Sequence, residues 1–145
     1  MRFEDKIYLD YADLLSMCDD LVHRVSTFKP QLIVGITRGG LLPAVHLSHA
    51  LDVPMQTISW QTRVESNKEI NQSLHQQIQH QKRVVFVDDI NDSGSTFEGI
   101  SDAYKCSVDT VRMVSMVAKV DSRYPADASL VIDDQRWVVF PYEKR

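Results

Sequence analysis

The chain has 145 residues, the size of one ordinary domain, and 43% of them are hydrophobic, so it can bury a core without disulfides or metals. Its net charge is -4 and its lysines and arginines are scattered, which gives no reason to expect a nucleic-acid or membrane surface. The first residues, MRFEDKIYLD, form no apolar h-region, and no run approaches the roughly 20 apolar residues of a membrane-spanning helix, so we expect a cytoplasmic protein. Cys18 and Cys106 are expected to be free thiols.

Alternating apolar periods predict helices and strands in turn. Apolar residues recur every three and four positions between Leu14 and Val25, which predicts a helix that Asp10 caps. Further helices are predicted in LLPAVHLSHAL, after Gly39 and Gly40, and in STFEGISDAYK. Strands are predicted at residues 31–36, 55–59, 83–87, 110–117 and 129–133. This alternation predicts an α/β fold: a twisted, mainly parallel sheet flanked by helices, in a single domain at residues 1–145.

One polar stretch, residues 61–82, interrupts the alternation. It is rich in Gln, Asn and charge, and its apolar residues are Val64, Ile70, Leu74 and Ile78. The stretch could hold a weak amphipathic helix. So long an excursion between strands favours a flexible hood or lid at residues 60–82, and a passive surface excursion is the alternative.

Four of the five glycines lie where a predicted strand is followed by a helix: Gly35, Gly39, Gly40 and Gly94. In an open α/β sheet, ligands bind at these carboxyl ends of strands. The stretch DSGST, residues 92–96, places successive N–H groups and hydroxyls at a helix N-terminus, which is typical of a phosphate-binding loop. An ordinary turn with an N-cap explains the same letters.

Asp88 and Asp89 follow the apolar residues VVFV at the end of a predicted strand. Two neighbouring carboxylates repel each other and are costly to bury unpaired, so we expect positive charge or strong hydrogen-bond donors beside them. Sugar hydroxyls together with a magnesium ion would satisfy both. With a phosphate loop a few residues later, the pattern predicts a ligand that has a vicinal diol and a terminal phosphate, such as a ribose 5-phosphate group.

Three stretches resemble one enzyme family. VVFVDDINDSGST, residues 84–96, is similar to the phosphoribosyl-diphosphate binding motif of type I phosphoribosyltransferases. VGITRGGLLPA, residues 34–44, is similar to the pyrophosphate loop of that family. VAKVDSRYPADASLVIDDQRWVVFPYE, residues 117–143, resembles the end of bacterial xanthine-guanine phosphoribosyltransferases. The resemblance spreads over most of the chain from Val34 onward, in the order and spacing of the family.

The resemblance implies how phosphoribosyl diphosphate is bound. Asp88 and Asp89 would hold the ribose hydroxyls and a Mg²⁺ ion. Asp92 would be the general base that takes or shares the proton at N7 of the purine. Pyrophosphate, the leaving group, would be bound by Arg38, Gly39 and Gly40. The 5-phosphate would be held by the amides and hydroxyls of Ser93, Gly94, Ser95 and Thr96. For Arg38 the alternative is a surface ion pair, and for the two aspartates it is loop capping.

The base pocket implied by the resemblance contains Lys119, Trp137 and Val138. Lys119 would donate to a 6-oxo group, Trp137 would stack on the ring, and the Val138 carbonyl would meet a 2-substituent. A solvated Lys119 and a core Trp137 are the alternatives. Tyr142 and Glu143 are expected near the pocket without a role, and Ser59-Trp60 stands where the family commonly has Ser-Tyr at the base of its hood, so Trp60 is expected to be a lid residue.

The function implied is the magnesium-dependent transfer of a 5-phosphoribosyl group to N9 of guanine, xanthine or hypoxanthine. The partners would then be phosphoribosyl diphosphate and a purine base, with no nucleic acid and no membrane, in a homodimer or homotetramer, because family members usually pair. A non-catalytic sensor of the same fold and a phosphoribosyltransferase for a non-purine base are the alternatives. A receiver-type signalling domain would need the acidic pair on its first strand, and this pair lies mid-chain.

Overall fold

The computed structural model describes residues 1–60 and 70–143. In chain order the elements are β1 (Arg2–Phe3), β2 (Ile7–Tyr8), α1 (Tyr11–Ser26), β3 (Leu32–Thr37), α2 (Leu41–Leu51), β4 (Met55–Ser59), α3 (Gln72–Gln79), β5 (Val84–Asn91), α4 (Ser95–Tyr104), β6 (Val111–Lys119), β7 (Asp127–Ile132) and β8 (Val138–Val139). The strands β4-β3-β5-β6-β7, in that order, form a sheet in which every neighbouring pair is parallel. The predicted parallel α/β fold is therefore confirmed.

Helices bury apolar side chains against both faces of this sheet. On one face α1 contributes Leu14, Met17, Cys18, Leu21 and Val25, and α2 adds Ala44 and Leu47. On the other face the buried residues of α3 and α4 are Leu74, Ile78, Phe97, Ile100 and Tyr104. The predicted cap of α1 is confirmed, because the Asp10 carboxylate accepts from the Asp13 amide at 2.8 Å.

The acidic pair lies inside β5, although the sequence predicts a strand that ends at Val87. The ladder with β6 continues to Asn91, whereas the ladder with β3 ends at the pair Gly35 and Val87. Beyond that point β3 pairs with β4, up to Thr37 and Ser59. The sheet therefore opens between β3 and β5 at their carboxyl ends, where the crossover direction reverses and ligands bind in such folds.

Part of the predicted hood region is an ordinary buried helix. Within residues 60–82, α3 provides the weak amphipathic helix that the sequence allows, with Leu74 and Ile78 in the core. Trp60, which the sequence predicts as a lid residue, is 8% exposed, and its ring lies next to Gly99 of α4. Residues 61–69 lie outside the described residues, so the hood stays a prediction there.

A second, small sheet joins the two ends of the chain. Strand β2 pairs antiparallel with β1 and parallel with β8, and this pairing holds the segment that contains Val138. The sequence does not predict these strands, because two residues are too short to show a period. Cys18 and Cys106 are both free, as expected. Within the described ranges no helix is long and apolar enough to cross a membrane.

Candidate active site

A cavity of about 1000 Å³ lies where the sheet opens. Its walls come from the segment after β3, the end of β5, the end of β6 and the segment around β8, and they comprise Arg38, Gly39, Leu41, Leu42, Asp89, Ile90, Asp92, Lys119, Gln135, Arg136, Trp137, Val138, Phe140, Tyr142 and Glu143. Seven of the residues that the sequence predicts for the site line this cavity: Arg38, Gly39, Asp89, Asp92, Lys119, Trp137 and Val138. Asp88, Gly40 and the loop at residues 93–96 lie outside its walls.

The acidic pair is partly buried, and its two residues interact directly. The Asp89 amide donates to the Asp88 carboxylate at 2.8 Å. Burial, followed by the neighbouring Asp89 charge, raises the pKa of Asp88 from its usual value to about 8. The sequence predicts a cation or strong hydrogen-bond donors beside two such carboxylates.

Tyr142 supplies one such donor. Its hydroxyl donates to Asp89 at 2.8 Å, and its ring stacks on Phe140 at a centroid distance of 5.5 Å. Burial and the Asp89 charge raise the pKa of Tyr142 above its usual value, so the hydroxyl keeps its proton. The sequence gives Tyr142 no role, since the two residues are 53 positions apart and meet through tertiary structure alone.

Arg38, Gly39 and Gly40 form the turn between β3 and α2. Arg38 is exposed at the cavity, and the peptide bond that precedes it is cis. Gly39 lies so close to the acidic pair that an added Cβ would stand 2.1 Å from a carboxylate oxygen of Asp89. The absence of a side chain at Gly39 therefore lets the basic turn and the acidic strand approach each other.

The loop at residues 93–96 leads into α4. Gly94 precedes the helix with φ of 93°, a left-handed conformation that favours glycine. The first helical amides, from Ser95 onward, have no acceptor within the helix, and the Ser95 amide donates to the Ser93 hydroxyl at 3.3 Å. Together with the hydroxyls of Ser93 and Ser95, which are 2.9 Å apart, these amides could bind an anion.

The loop after β6 packs on the loop at residues 93–96, called the anion loop below, and Asn91 holds it there. The Asn91 side chain, 4% exposed, donates to the Tyr124 carbonyl at 2.9 Å and accepts from the Ser122 hydroxyl at 2.9 Å. Close by, the backbone amide of Arg123 donates to the Ser93 carbonyl at 3.0 Å. Sequence reasoning missed these residues, since nothing in the local pattern around residue 122 indicates where the loop folds back.

Lys119 ends β6 in a buried position. Its ammonium group donates to the carbonyl oxygens of Asp134 at 3.1 Å and Arg136 at 2.5 Å, and the residue is 7% exposed. An ammonium group has three donors, so one is left to meet a ligand in the cavity that Lys119 lines. The alternative of a solvated Lys119 is therefore wrong.

Trp137 and Val138 form the opposite wall. Trp137 is 64% exposed and lines the cavity, so the alternative of a core tryptophan is wrong. The carbonyls of Trp137 and Val139 accept from the amides of Ile7 and Leu9 in and beside β2. Because carbonyl directions alternate along a strand, the Val138 carbonyl points away from β2.

The chain is similar to known proteins in sequence and in structure. A sequence family described as the phosphoribosyl transferase domain matches residues 5–143. Xanthine-guanine phosphoribosyltransferase of Cereibacter sphaeroides is 30% identical over 118 residues, which cover 77% of this chain and 68% of that protein. A purine phosphoribosyltransferase from Pyrococcus horikoshii has a similar structure, with a TM-score of 0.77, 27% identity and coverage of 98% of this chain and 97% of that one.

The fold is shared more widely. Xanthine-guanine-hypoxanthine phosphoribosyltransferase of Helicobacter pylori has a TM-score of 0.72 at 24% identity, with coverage of 93% of this chain and 91% of that one. The family match spans almost the whole described chain, and residues from each of the three motif stretches line one cavity at the sheet opening. The chain therefore belongs to the type I phosphoribosyltransferases, as an enzyme of that kind similar to the xanthine-guanine phosphoribosyltransferases.

Proposed function

We propose that the enzyme transfers the 5-phosphoribosyl group of phosphoribosyl diphosphate to N9 of a 6-oxopurine and releases pyrophosphate, a reaction of purine salvage. The named relatives are purine or xanthine-guanine phosphoribosyltransferases, which supports a purine as the acceptor. The single observation that carries the choice of base is the hydrogen bonding of Lys119.

Lys119 selects for an acceptor at position 6 of the base. Two backbone carbonyls hold its ammonium group, and the third N–H needs an acceptor. A 6-oxo group is such an acceptor. The 6-amino group of adenine is itself a donor and would not accept from the Lys119 ammonium group. Trp137 would stack on the ring, and the Val138 carbonyl would accept from a 2-substituent or from a ring N–H.

The carboxylates of Asp88 and Asp89 fit a magnesium ion. Mg²⁺ is usually held by one or two carboxylates, with substrate oxygens and water as its other ligands. Within the described part of the chain no group of three or more His, Cys, Asp or Glu side chains has the geometry of a metal site, so the substrate would complete the coordination. When bound, the ion would supply positive charge to the pyrophosphate oxygens.

The transfer itself needs positioning and charge more than covalent catalysis. The bond from the ribose C1 to pyrophosphate breaks as N9 bonds to C1, and the proton at N7 passes to or is shared with Asp92. Arg38, with the amides of Gly39 and Gly40, would stabilise the charge that develops on pyrophosphate. The loop at residues 93–96 would fix the 5-phosphate and thereby hold C1 in line with the base.

The test is pyrophosphate release by the purified protein with phosphoribosyl diphosphate, Mg²⁺ and, separately, guanine, xanthine, hypoxanthine, adenine or uracil. We expect release with one or more 6-oxopurines, none with adenine or uracil, and loss of release when Mg²⁺ is chelated. Replacing Asp92→Asn removes the general base and should lower kcat about 10²- to 10⁴-fold. Asp102→Asn, the same change at an exposed residue of α4, should leave kcat unchanged.

Two outcomes would contradict the proposal. Binding of phosphoribosyl diphosphate without release with any base would favour the non-catalytic sensor. Release with uracil but not with a purine would favour a non-purine base. Light scattering of the same preparation would test the homodimer or homotetramer that we expect.

A further inference from the structure

The loop after β6 places residue 123 beside the anion loop at residues 93–96 through contacts that do not use its side chain. The Arg123 amide donates to the Ser93 carbonyl at 3.0 Å, and the Tyr124 amide is 2.7 Å from where a Cβ of Gly94 would be. The buried Asn91 side chain holds the same loop through Ser122 and Tyr124. A change of the Arg123 side chain would therefore leave this loop in position.

The Arg123 guanidinium reaches the anion loop directly. One terminal nitrogen donates to the Ser95 hydroxyl at 2.7 Å, and Nε donates to the Glu98 carboxylate at 3.2 Å. The side chains of Arg123 and Glu98 are 58% and 46% exposed. Ion pairs this exposed add little to stability, so the pairing with Glu98 does not by itself explain the position of Arg123.

The charge around the anion loop makes this cation significant. Asp92 within the motif and Glu98 in the first turn of α4 are both acidic, and they would repel a phosphate group at residues 93–96. The amides at the start of α4 offer partial positive charge. Among residues 1–60 and 70–143, Arg123 is the cation whose side chain hydrogen-bonds to this loop. Arginine is suited to the task because its planar donors bind phosphate oxygens in pairs.

We propose that Arg123 is a phosphate-binding residue of the active site, which rests on the proposed function. In the free enzyme Glu98 and Ser95 hold the guanidinium at the edge of the loop. When a 5-phosphate binds at residues 93–96, the guanidinium leaves Glu98 and donates to the phosphate oxygens. Glu98 thus competes with the ligand for Arg123, and the two residues have opposite effects on phosphate affinity.

Two variants that break the same ion pair test the proposal. Equilibrium binding of guanosine 5'-monophosphate and of guanosine is measured by calorimetry without Mg²⁺ for the wild type, Arg123→Met and Glu98→Gln. We expect Arg123→Met to weaken binding of the monophosphate about tenfold or more and to leave guanosine unchanged, because a charged hydrogen bond is lost. Glu98→Gln should bind the monophosphate equally well or more tightly. Arg123→Lys, which keeps the charge, should be intermediate.

A purely structural role for the ion pair predicts a different result. It predicts that Arg123→Met and Glu98→Gln weaken binding of the monophosphate to the same degree, and that result would overturn the proposal. The proposal would also be overturned if Arg123→Met weakened binding of guanosine as much as binding of the monophosphate. Thermal unfolding of each variant shows that the fold is kept. If the wild type binds neither the monophosphate nor phosphoribosyl diphosphate, the proposed function fails and the assignment of Arg123 fails with it. If the wild type binds the monophosphate and Arg123→Met binds it with the same affinity, the assignment of Arg123 is overturned but the proposed function is not.

Discussion

Gly39 and Gly40 are adjacent, but a methyl group at each would meet a different kind of neighbour. At Gly39 the nearest atoms belong to the Asp89 carboxylate, the end of a side chain that can turn away. At Gly40 they belong to the backbone of Val87 and Ile36, with the Val87 oxygen at 2.2 Å. The first glycine therefore serves the site, and the second serves the packing of the turn against the sheet.

This difference predicts a separation of binding from stability. Gly39→Ala should keep the free energy of unfolding close to that of the wild type. It should weaken binding of phosphoribosyl diphosphate about tenfold or more, because the Asp89 side chain must move. Gly40→Ala should cost about 1–3 kcal/mol of stability, because backbone must shift. Urea unfolding and calorimetric titration of both variants measure this, and equal effects on stability would contradict the assignment.

At the level of elements, the extension of β5 to Asn91 connects three parts of the site. Strand β5 carries the acidic pair, its last residue holds the loop after β6, and α4 follows with the anion loop. Asn91 makes this connection from a buried position, with its amide as donor and its carbonyl as acceptor. A buried polar side chain that both donates and accepts a hydrogen bond favours one arrangement of its neighbours.

Replacing Asn91→Ala should therefore affect both stability and binding. The Tyr124 carbonyl and Ser122 hydroxyl lose a partner, which should cost about 1–3 kcal/mol, and the freed loop should raise the KM for phosphoribosyl diphosphate. Asn71→Ala is a matched control, since it removes the N-cap of α3, costs about 1 kcal/mol and lies outside the cavity walls. A KM change of equal size in both variants would show that general destabilisation is the cause.

For the whole molecule, Asp88 makes the stability of the free protein depend on pH. An unfolded aspartate loses its proton near pH 4, whereas burial raises the pKa of Asp88 in the folded protein to about 8. Between these values the folded state holds the extra proton, so stability falls as pH rises. A carboxyl with a lowered pKa affects stability at lower pH. Hydrogen bonds from Arg136 lower the pKa of Asp134 to about 2, so Asp134 affects stability below pH 4.

We expect the free energy of unfolding of the substrate-free protein, measured with urea in the presence of a chelator, to decrease from pH 5 to pH 8. The slope from one proton is at most about 1.4 kcal/mol per pH unit. Asp88→Asn, which has no proton to lose, should flatten this dependence, and Asp102→Asn should keep the wild-type slope. A slope that is the same in all three proteins would contradict the raised pKa of Asp88.

The order and type of the main elements, and the motif residues, could be predicted from the sequence because the signals are local. Apolar period identifies α1, α2 and β3 to β7, and turn chemistry locates the loops that join them. The position of Arg38, Asp89, Asp92 and Lys119 around one cavity follows from their places at the carboxyl ends of parallel strands. Boundaries were less accurate, since β5 ends at Asn91 rather than Val87.

The contacts of Tyr142, Asn91, Arg123 and Trp60 depend on tertiary structure. Tyr142 reaches Asp89 because β2 holds β8 against the sheet opening, and Arg123 reaches Ser95 because Asn91 draws the loop after β6 back. Trp60 lies in the core, where the absence of a side chain at Gly99 leaves room for its ring. Each contact joins segments at least 25 residues apart, a distance over which neither period nor turn chemistry carries information, so packing alone decides it.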